Sequence, residues 1–383
     1  MALSVPQIEW RVVICDLTGT AITTVDGIAS DKTISYQLNR PDQMTFTVPA
    51  DDARVNTSHT DGDPYVSCSN RVVKGYRLES GVWTLRFAGP IMQLQDSGDE
   101  KSTSTAVTAY SPHQVLYNRW TRGTSSSATT AGAVDTVAYS SIAGNLVAKE
   151  QVDQTITSAG GCFIQTTGTF ATTSSQTVTF EEGTTVGAAL EVLTATKTMD
   201  VIFDPVDGVS GVFATMGVSA ARGSTKTAAV FGYGAANFCV QSISRLLNGS
   251  ELANSLRVAG GRPAAGHTWP TGTASDSSSE TKYRTYEAWH LADPDISDLT
   301  FLGTLASAEL ALRKQPKEYL SITPFAELAP SPFTDYFLGD TIQIWTSANL
   351  RQAVTGSQRV YGITVSLDEA GFERVSEIVA ASA

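Results

Sequence analysis

The sequence contains few cysteines and histidines, and it clusters neither. The four cysteines are far apart and form no CxxC pair, and none of the four histidines lies near a cysteine. A structural zinc site needs thiolate and imidazole ligands at short spacings. We therefore expect no metal centre and interpret the cysteines as small buried residues in a reducing compartment: Cys15, Cys68, Cys162 and Cys239.

Clustered basic residues are also absent. The net charge is −12, with 26 Lys and Arg against 38 Asp and Glu, and the acidity is spread along the whole chain. Sequence-independent binding of nucleic acid depends on basic clusters that displace counterions from phosphates. We therefore expect no specific nucleic-acid binding and no basic binding surface.

No apolar run approaches the ~20 residues that a membrane-spanning helix needs. The N-terminal residues, "MALSVPQIEWR", lack a basic region followed by an apolar one, so no signal peptide is visible. We expect no membrane span.

Motifs that carry catalytic chemistry are missing as well. There is no GxSxG, and the Gly-x-Gly of "GYGAAN" (232–237) has no third glycine and does not open a helix. Nothing marks two particular carboxylates for glycoside cleavage. We expect no enzyme activity, no catalytic residue and no cofactor.

Three short segments offer possible ligands, and each has a simpler interpretation. Glu287 and His290 have an i, i+3 spacing, but no third ligand is evident, and a strand would place them on opposite faces. "DPDISD" (293–298) lacks the glycine and the distal glutamate of a calcium loop. The segment "HTDGDPY" (59–65) is most simply interpreted as a turn, because Asp-Gly and Asp-Pro pairs favour turns.

Alternating strands and turns fill the sequence instead. In "ISYQLNRPDQMTFTVPADD" (34–52), Arg40 and Pro41 interrupt the run before a clean alternation. That alternation predicts three side chains facing a core, with Thr45 and Thr47 on the outer or lumen side. The predicted core residues are Met44, Phe46 and Val48.

Helices are predicted at fewer places. Residues 134–148 read as a helix. A second helix is predicted from about Val186 to Thr196, after a strand and a turn, and a further strand follows it at 199–203. The segment 304–314 reads as a helix that is capped by Thr304, has Leu305, Ala308 and Leu312 on one face, and is stopped by Pro316. The polar patch at 271–280 reads as an exposed loop.

The order of these parts resembles the tail-hub, or baseplate-hub, family of long-tailed bacteriophages, which includes siphophage minor tail proteins. The resemblance rests on "YQLNRPDQMTFTVPADD", on "LRFAGPIMQLQDS" followed by "STAVTAYSPHQVLYNR", on "FGYGAANFCVQSISRLLNGSELANSLRVAGG", and on the ending "LGDTIQIW" with "QRVYGITVSLDEAGFERV". It covers nearly the full chain.

The resemblance implies a structural role in a phage tail tip. Two β-barrel-like domains from each of three subunits would form a pseudo-sixfold ring that joins the sixfold tail tube to the threefold tip. Its channel would hold the tape-measure protein and later pass DNA, which is bound only in transit. The implied partners are a homotrimer, a distal tail protein, the tape-measure protein and other tail-tip or receptor-binding proteins. The implied location is the virion tail, assembled in the host cytoplasm.

We therefore predict a mainly β fold with α+β insertions, in which two antiparallel β-barrel-like domains are joined by smaller mixed domains. The first would span 1–105, completed by strands from about 226–250. An inserted α+β domain would span 106–225, and a second barrel-like region 226–383. Many relatives carry a fused peptidase or glycosidase, but the chain ends about ten residues after its final hairpin turn, so we expect none here.

The role of one residue pair and the function of the chain both remain open at this stage. Gly339–Asp340 reads as a turn glycine and a strand-start acid, but Asp340 is also a candidate to pair with a cation of a neighbouring subunit, for which Arg40 and Arg359 are candidates. A carbohydrate- or receptor-binding module is the alternative function. Six Trp and twelve Tyr are available for stacking, although we expect most of them in the core. A tail-associated hydrolase is the third possibility.

Overall fold

The structure is a computed structural model. It describes residues 8–98, 102–123, 136–158, 163–173, 175–180, 182–195, 199–234, 239–261, 269–292, 299–325, 328–346, 353–368 and 371–381. Strands outnumber helices throughout this part of the chain, and most of the strands pair antiparallel. The predicted class, mainly β with α+β insertions, is confirmed.

The N-terminal part consists of strands joined by short turns. Its strands are β1 (Trp10–Cys15), β2 (Ala21–Thr24), β3 (Ser30–Gln37), β4 (Gln43–Pro49), β5 (Val72–Glu79), β6 (Val82–Gly98) and β7 (Thr103–Tyr110). A short helix α1 (Ala53–Asn56) follows β4, and a 3₁₀ helix (Pro112–Asn118) follows β7. A hairpin turn joins β5 to β6, with positive φ at Ser80 and Gly81.

The middle part alternates strands and helices. It contains β8 (Val137–Ala143), α2 (Gly144–Ser158), β9 (Ile164–Gln165), β10 (Ser175–Phe180), α3 (Val186–Ala195), β11 (Asp200–Pro205) and β12 (Ala214–Ser219). The single helix predicted at 134–148 is wrong, because a strand precedes the helix. Val137 and Tyr139 are buried while Ala138 and Ser140 are exposed, which is the period of two of a strand.

The C-terminal part returns to strands. It contains β13 (Thr225–Tyr233), β14 (Val240–Asn248), β15 (Ser255–Ala259), β16 (Thr271–Ser275), α4 (Ser277–Tyr283), β17 (Glu287–Leu291), α5 (Leu299–Arg313), β18 (Lys317–Pro324), β19 (Thr341–Thr346), β20 (Thr355–Leu367) and β21 (Glu373–Ala381). The loop predicted at 271–280 is wrong, since β16 and α4 occupy it. The Asp276 carboxylate accepts a hydrogen bond from the Ser279 N–H (2.8 Å) and so caps α4.

Helix α5 is longer than predicted, and it buries a different face from the predicted one. It extends back at least to Leu299, and Thr304 lies inside it with its hydroxyl donating to the Thr300 carbonyl (3.0 Å). Among its described side chains the buried ones follow an i, i+4 spacing, and they are Leu302, Ala306 and Leu310 rather than Leu305, Ala308 and Leu312. The predicted C-terminal end is correct, because the helix stops at Arg313, before Pro316.

Thirteen strands form one sheet in the described residues. Their order is β14-β18-β21-β20-β3-β4-β7-β6-β5-β1-β2, with β19 pairing with both β20 and β13. Strand β20 joins the two ends of the chain, because its first half pairs with β19 and its second half with β3. The strands at 226–250 pair with β18 and β19. They belong to the same sheet as the strands of residues 1–105, and their assignment to the first domain stays a prediction.

The sheet curls so that its N-terminal strands approach the start of β21. An isolated β-bridge joins Glu9 to Phe372, the Trp10 N–H donates to the Gly371 carbonyl (3.0 Å), and the Glu373 N–H donates to the Ile8 carbonyl (2.9 Å). Strands β1 and β21 are far apart in the strand order. Strong right-handed twist or bending of the strands is therefore needed to bring them together.

The main core lies within this sheet and draws on both ends of the chain. Met44, Phe46 and Val48 are at most 1% exposed, while Thr45 and Thr47 are half-buried on the other face, as the alternation predicts. The same cluster of buried side chains includes residues of β13, β18, β19, β20 and β21.

Separate clusters of buried residues fill residues 116–218 and 253–306. The first lies between the helices and strands of the middle part, and the second lies between α5 and the small sheet of β15, β16 and β17. The domain boundaries at 105 and 225 remain a prediction. No helix in the described residues is long and apolar enough to cross a membrane.

Candidate functional site

The turn between β3 and β4 contacts the start of β11. Asn39 adopts a left-handed conformation (φ 61°), which Asn tolerates better than most residues. Its amide donates to one Asp200 carboxylate oxygen (2.9 Å), and its carbonyl oxygen accepts from the Val201 N–H (2.9 Å). The interruption before β4 therefore joins the main sheet to the middle part of the chain.

Asp200 is the centre of this contact. Its side chain is 4% exposed, and its second carboxylate oxygen accepts from the Arg222 N–H (2.6 Å) and from Arg359 Nη2 (2.5 Å). A buried carboxylate is stable only when a counter-charge and hydrogen-bond donors replace its hydration. We call the set Asn39, Asp200, Arg222 and Arg359 the Asp200 junction. It joins four segments that are distant in sequence.

Arg359 also holds the turn before β19. Its Nε donates to the Gly339 carbonyl (3.2 Å), and Nη2 also donates to the Arg222 carbonyl (3.1 Å). Gly339 has φ 83°, and a Cβ added to the facing Gly223 would lie 2.3 Å from the Gly339 carbonyl carbon. Two backbones therefore approach here at a distance that only glycine allows.

Asp340 has its partners within the chain. Its two carboxylate oxygens accept from the Ser224 N–H (2.7 Å) and the Phe337 N–H (2.8 Å), and Lys226 Nζ lies 3.9 Å away. The interpretation of Gly339–Asp340 as a turn glycine and a strand-start acid is confirmed. Arg359 pairs with Asp200 and not with Asp340. Arg40 is exposed and has no ion-pair partner among the described residues, so its contact with another subunit stays a prediction.

A cavity of about 320 Å³ lies beside the Asp200 junction. We call it the junction cavity. Its walls come from the β3–β4 turn, β11, the 3₁₀ helix and the segment 333–338. Burial displaces the pKa values of three titratable groups on these walls, and it raises the pKa of Tyr36 well above its usual value. Burial raises the pKa of Asp42 to about 7, and the Gln37 N–H (3.0 Å) opposes this by donating to its carboxylate. Burial lowers the pKa of His113 to about 4.

His113 is an unusual wall residue. Its side chain is 2% exposed and stacks on Phe203, with 4.4 Å between ring centroids. Its Nε2 atom is buried and has no hydrogen-bond partner in the described structure. A hydrogen bond to the backbone of Arg40 raises its pKa, against the larger effect of burial. The sequence offered no signal for this residue beyond its place after Pro112.

A second polar network joins β5 to β21. The Glu373 carboxylate accepts from Trp10 Nε1 (2.7 Å) and from Arg77 Nε (2.7 Å) and Nη2 (3.1 Å). The Glu373 and Arg77 side chains are 4% and 2% exposed. Arg77 also donates to Glu79 (3.2 Å) and to the Ser331 hydroxyl (3.0 Å). Since Arg77 and Glu373 are 296 residues apart, no sequence pattern indicates this pair.

The possible ligand segments do not come together into a site. Glu287 and His290 lie on β17 and point to opposite faces, with Glu287 exposed and His290 half-buried. The Asp61 carboxylate accepts from both terminal nitrogens of the fully buried Arg71 (2.6 and 2.8 Å), which confirms the interpretation of residues 59–65 as a turn. In the described part of the chain, no three His, Cys, Asp or Glu residues are grouped to hold a metal.

Some of the proposed positions lie outside the described residues. These are the segment 293–298, residues 235–237 of "GYGAAN", and Cys162. Of the other cysteines, Cys15 and Cys239 are buried as expected, whereas Cys68 is exposed. Burial raises the pKa of the Cys15 thiol to about 11, which keeps it protonated and unreactive.

The expectation that most of the tryptophans and tyrosines lie in the core is wrong, and the tryptophans show this most clearly. Only Trp10 is buried, and four others are more than a third exposed: Trp120 (55%), Trp269 (39%), Trp289 (52%) and Trp345 (61%). Trp289 and Trp345 do lie on strands, but each faces away from the core. The strand pattern alone cannot tell which face of a strand is covered.

The fold can be compared with known proteins, although no protein-family model and no curated protein matches the sequence. It is similar to the prophage MuSo2 43 kDa tail protein from Shewanella oneidensis, with a TM-score of 0.61 at 12% identity, covering 98% of each chain. The tail protein from Neisseria meningitidis MC58 gives a TM-score of 0.59 at 11% identity, covering 98% of this chain and 96% of that one. The prophage tail protein gp18 from Listeria monocytogenes EGD-e gives 0.58 at 11%, covering 97% and 94%. This chain therefore has the fold of the phage tail proteins over nearly its whole length, as the resemblance in its sequence predicts.

Proposed function

We propose that this chain is a structural subunit of a phage tail tip and that three copies form a hub ring. The observation that carries the proposal is the likeness of fold to phage tail proteins, which covers at least 97% of this chain in all three comparisons. The ring joins the sixfold tail tube to the threefold tip, and its channel holds the tape-measure protein and later passes DNA. The protein has no catalytic role and acts in the virion tail.

A function of this kind depends on rigid walls. The main core draws on both ends of the chain, and two buried polar networks join segments that are distant in sequence. Satisfied buried networks fix one arrangement of the elements that they join. This supports a role in which the shape of the subunit is what its partners recognise, including the distal tail protein and other tail-tip proteins.

The edges of the main sheet support assembly with other copies. Among the described strands, three are edges that pair with a single strand each, namely β2, β13 and β14. On β14, Leu246 and Leu247 are 57% and 52% exposed. Unpaired edges with apolar side chains are sites of association, and a head-to-tail contact whose rotation closes gives a ring.

Light scattering on the purified chain at several concentrations tests the ring. We expect a mass of about 122 kDa, three times the 40.6 kDa of one chain. Leu246→Lys on the β14 edge should shift the mass towards that of a monomer. The matched control is Val192→Lys, which changes an equally exposed (53%) residue of α3 and should leave the trimer intact. A strict monomer at every concentration would contradict self-assembly of the ring.

A carbohydrate- or receptor-binding role is the second candidate, and the exposed tryptophans favour it. Exposed indole rings stack on the apolar faces of sugars and pack against protein partners. Glycan-array binding by the isolated chain tests this role. Retained binding after Trp289→Ala and Trp345→Ala would show that these rings are not the platform.

A further inference from the structure

The end of strand β14 carries the one Asn-Gly pair of the sequence, Asn248–Gly249. Asn248 is the last residue of β14 and lies opposite Lys317 of β18, and Gly249 follows the strand. Asn248 is half-buried, while Gly249 and Ser250 are exposed. The Leu252 N–H donates to the Gly249 carbonyl (3.1 Å) and closes a turn that is open to water.

The Asn248 side chain is held in an Asx turn. Its Oδ1 atom accepts two hydrogen bonds, from the Ser250 N–H (2.9 Å) and from the Ser250 hydroxyl (2.7 Å). In an Asx turn the side-chain carbonyl takes the place of a backbone carbonyl, which brings Asn248 Cγ near the nitrogen of the next residue. Both hydrogen bonds end on the oxygen that gains negative charge when a nucleophile attacks Cγ. Donors already aimed at a developing oxyanion lower the barrier to such an attack.

Gly249 leaves its own backbone nitrogen unobstructed. It carries no side chain, and a Cβ added there would meet no atom within 4 Å beyond its chain neighbours. Glycine also reaches the backbone angles of a cyclic imide more readily than other residues do. The Gly249 nitrogen is therefore a nucleophile that can approach Asn248 Cγ without moving any packed group.

Asn254, six residues later, is in the opposite situation. Its side chain is fully buried, and its amide donates to the Ser279 hydroxyl (3.3 Å) and to the Arg284 carbonyl (2.7 Å). Its carbonyl oxygen accepts from the Tyr286 N–H (2.7 Å). These contacts hold the Asn254 side chain in place, so it cannot turn towards the nitrogen of the next residue unless this region opens.

We propose that Asn248 is a site of spontaneous modification, at which the folded chain converts the side-chain amide to aspartate or isoaspartate. The Gly249 nitrogen attacks Asn248 Cγ, and the Cγ–Nδ2 bond breaks. The side-chain nitrogen leaves as ammonia, which takes the proton of the Gly249 amide. Water, the only co-reactant, then opens the succinimide ring at either of its two carbonyls. This inference goes beyond the hub function and does not depend on it.

The reaction changes an edge of the main sheet. Either product adds a negative charge opposite Lys317, whose Nζ already lies 2.5 Å from the Glu251 carboxylate. Isoaspartate also adds a carbon atom to the main chain at the last paired residue of β14, so this end of the ladder with β18 is disturbed. The β14 edge of an aged protein therefore differs from that of a newly made one.

Peptide mapping of the full chain after incubation at mildly alkaline pH tests the proposal. Trypsin cleaves after Arg245 and Arg257, so one peptide carries both Asn248 and Asn254, and fragmentation in the mass spectrometer tells them apart. In the folded chain, Asn248 should convert at least about tenfold faster than Asn254. It should also convert at least as fast as in the chain unfolded in guanidinium chloride. Slower conversion of Asn248 in the folded chain than in the unfolded chain would overturn the proposal.

Variants separate the two structural causes of the reaction. Gly249→Ala fits the turn without a clash and should slow the conversion of Asn248 about fivefold. Ser250→Ala removes one of the two donors to Asn248 Oδ1 and should slow it about threefold. The matched control is Ser244→Ala, an exposed serine of β14 away from the turn, which should convert as the unchanged chain does. Unchanged conversion in both Gly249→Ala and Ser250→Ala would overturn the assignment.

Discussion

The buried pair of Arg77 and Glu373 gives a sharp prediction for the substitution Glu373→Gln. The carboxylate accepts three hydrogen bonds, one from Trp10 and two from Arg77, while almost fully shielded from water. Glutamine keeps the shape and one acceptor oxygen. Its amide nitrogen, however, faces donors, and the charge that compensates Arg77 is lost.

The expected loss in the free energy of unfolding depends on the contacts that Arg77 retains in the variant. Removing one partner of a buried ion pair typically costs about 3–5 kcal/mol. Arg77 still contacts Glu79 at 3.2 Å and Ser331 at 3.0 Å, so its charge is not left alone. We therefore expect about 3 kcal/mol, the lower end of that range, which is roughly a 100-fold change in the folding equilibrium.

Urea unfolding followed by both tryptophan fluorescence and circular dichroism measures this cost. Two probes are needed because the separate cores can unfold separately. The control Glu251→Gln removes an ion pair with Lys317 in which Glu251 is 57% exposed, and it should change the midpoint little. Arg77→Met with Glu373→Leu should recover most of the lost stability. Equal shifts for Glu373→Gln and Glu251→Gln would refute the reasoning.

Two further predictions concern the pH response and the small sheet. The pKa of His113 falls from 6.5 to about 4 on folding, so its stabilising contribution is complete above pH 6.5 and is lost as pH falls towards 4. Between pH 7 and pH 5, the unchanged chain should therefore lose about 2 kcal/mol relative to His113→Phe in urea unfolding, and parallel pH profiles would contradict this. Asp42 acts in the opposite sense, since its raised pKa gives stability below pH 3.8 that is lost as pH rises to about 7. Gly272→Ala should separate α5 from β16, because its Cβ would lie 2.1 Å from the Leu302 carbonyl carbon; hydrogen exchange of the β15 and β16 amides should then accelerate. Gly303→Ala, with nothing within 4 Å of the added Cβ, is the control, and equal exchange in the two variants would refute the contact.

Local patterns predicted much of the strand structure. In β4 the alternation of Met44, Phe46 and Val48 with threonines placed the core face correctly, because burial of one face leaves a period of two. The prediction of secondary structure was wrong where a polar side chain forms a hydrogen bond with the backbone. Asp276 looks like a loop residue by composition, yet its carboxylate caps α4 by accepting from the Ser279 N–H.

The candidate site was only partly accessible to the same reasoning. Arg359 and Asp340 stood out because the sequence predicts each at the start of a strand. Arg359 instead lies inside β20, but both residues do lie where several segments meet. Their partners could not be predicted, since Asp200 is 159 residues from Arg359. Such pairs depend on how the sheet curls, and that is a property of the whole chain.

The separation of these partners in sequence has a functional consequence. A local contact, such as the turn at Gly339, stabilises only its own segment. The Asp200 junction and the pair of Arg77 and Glu373 instead form only when distant segments are all in their final positions. Losing either network should therefore loosen the position of whole elements relative to one another before it unfolds any of them. For a subunit whose partners recognise a shape, assembly should fail at a smaller loss of stability than folding does.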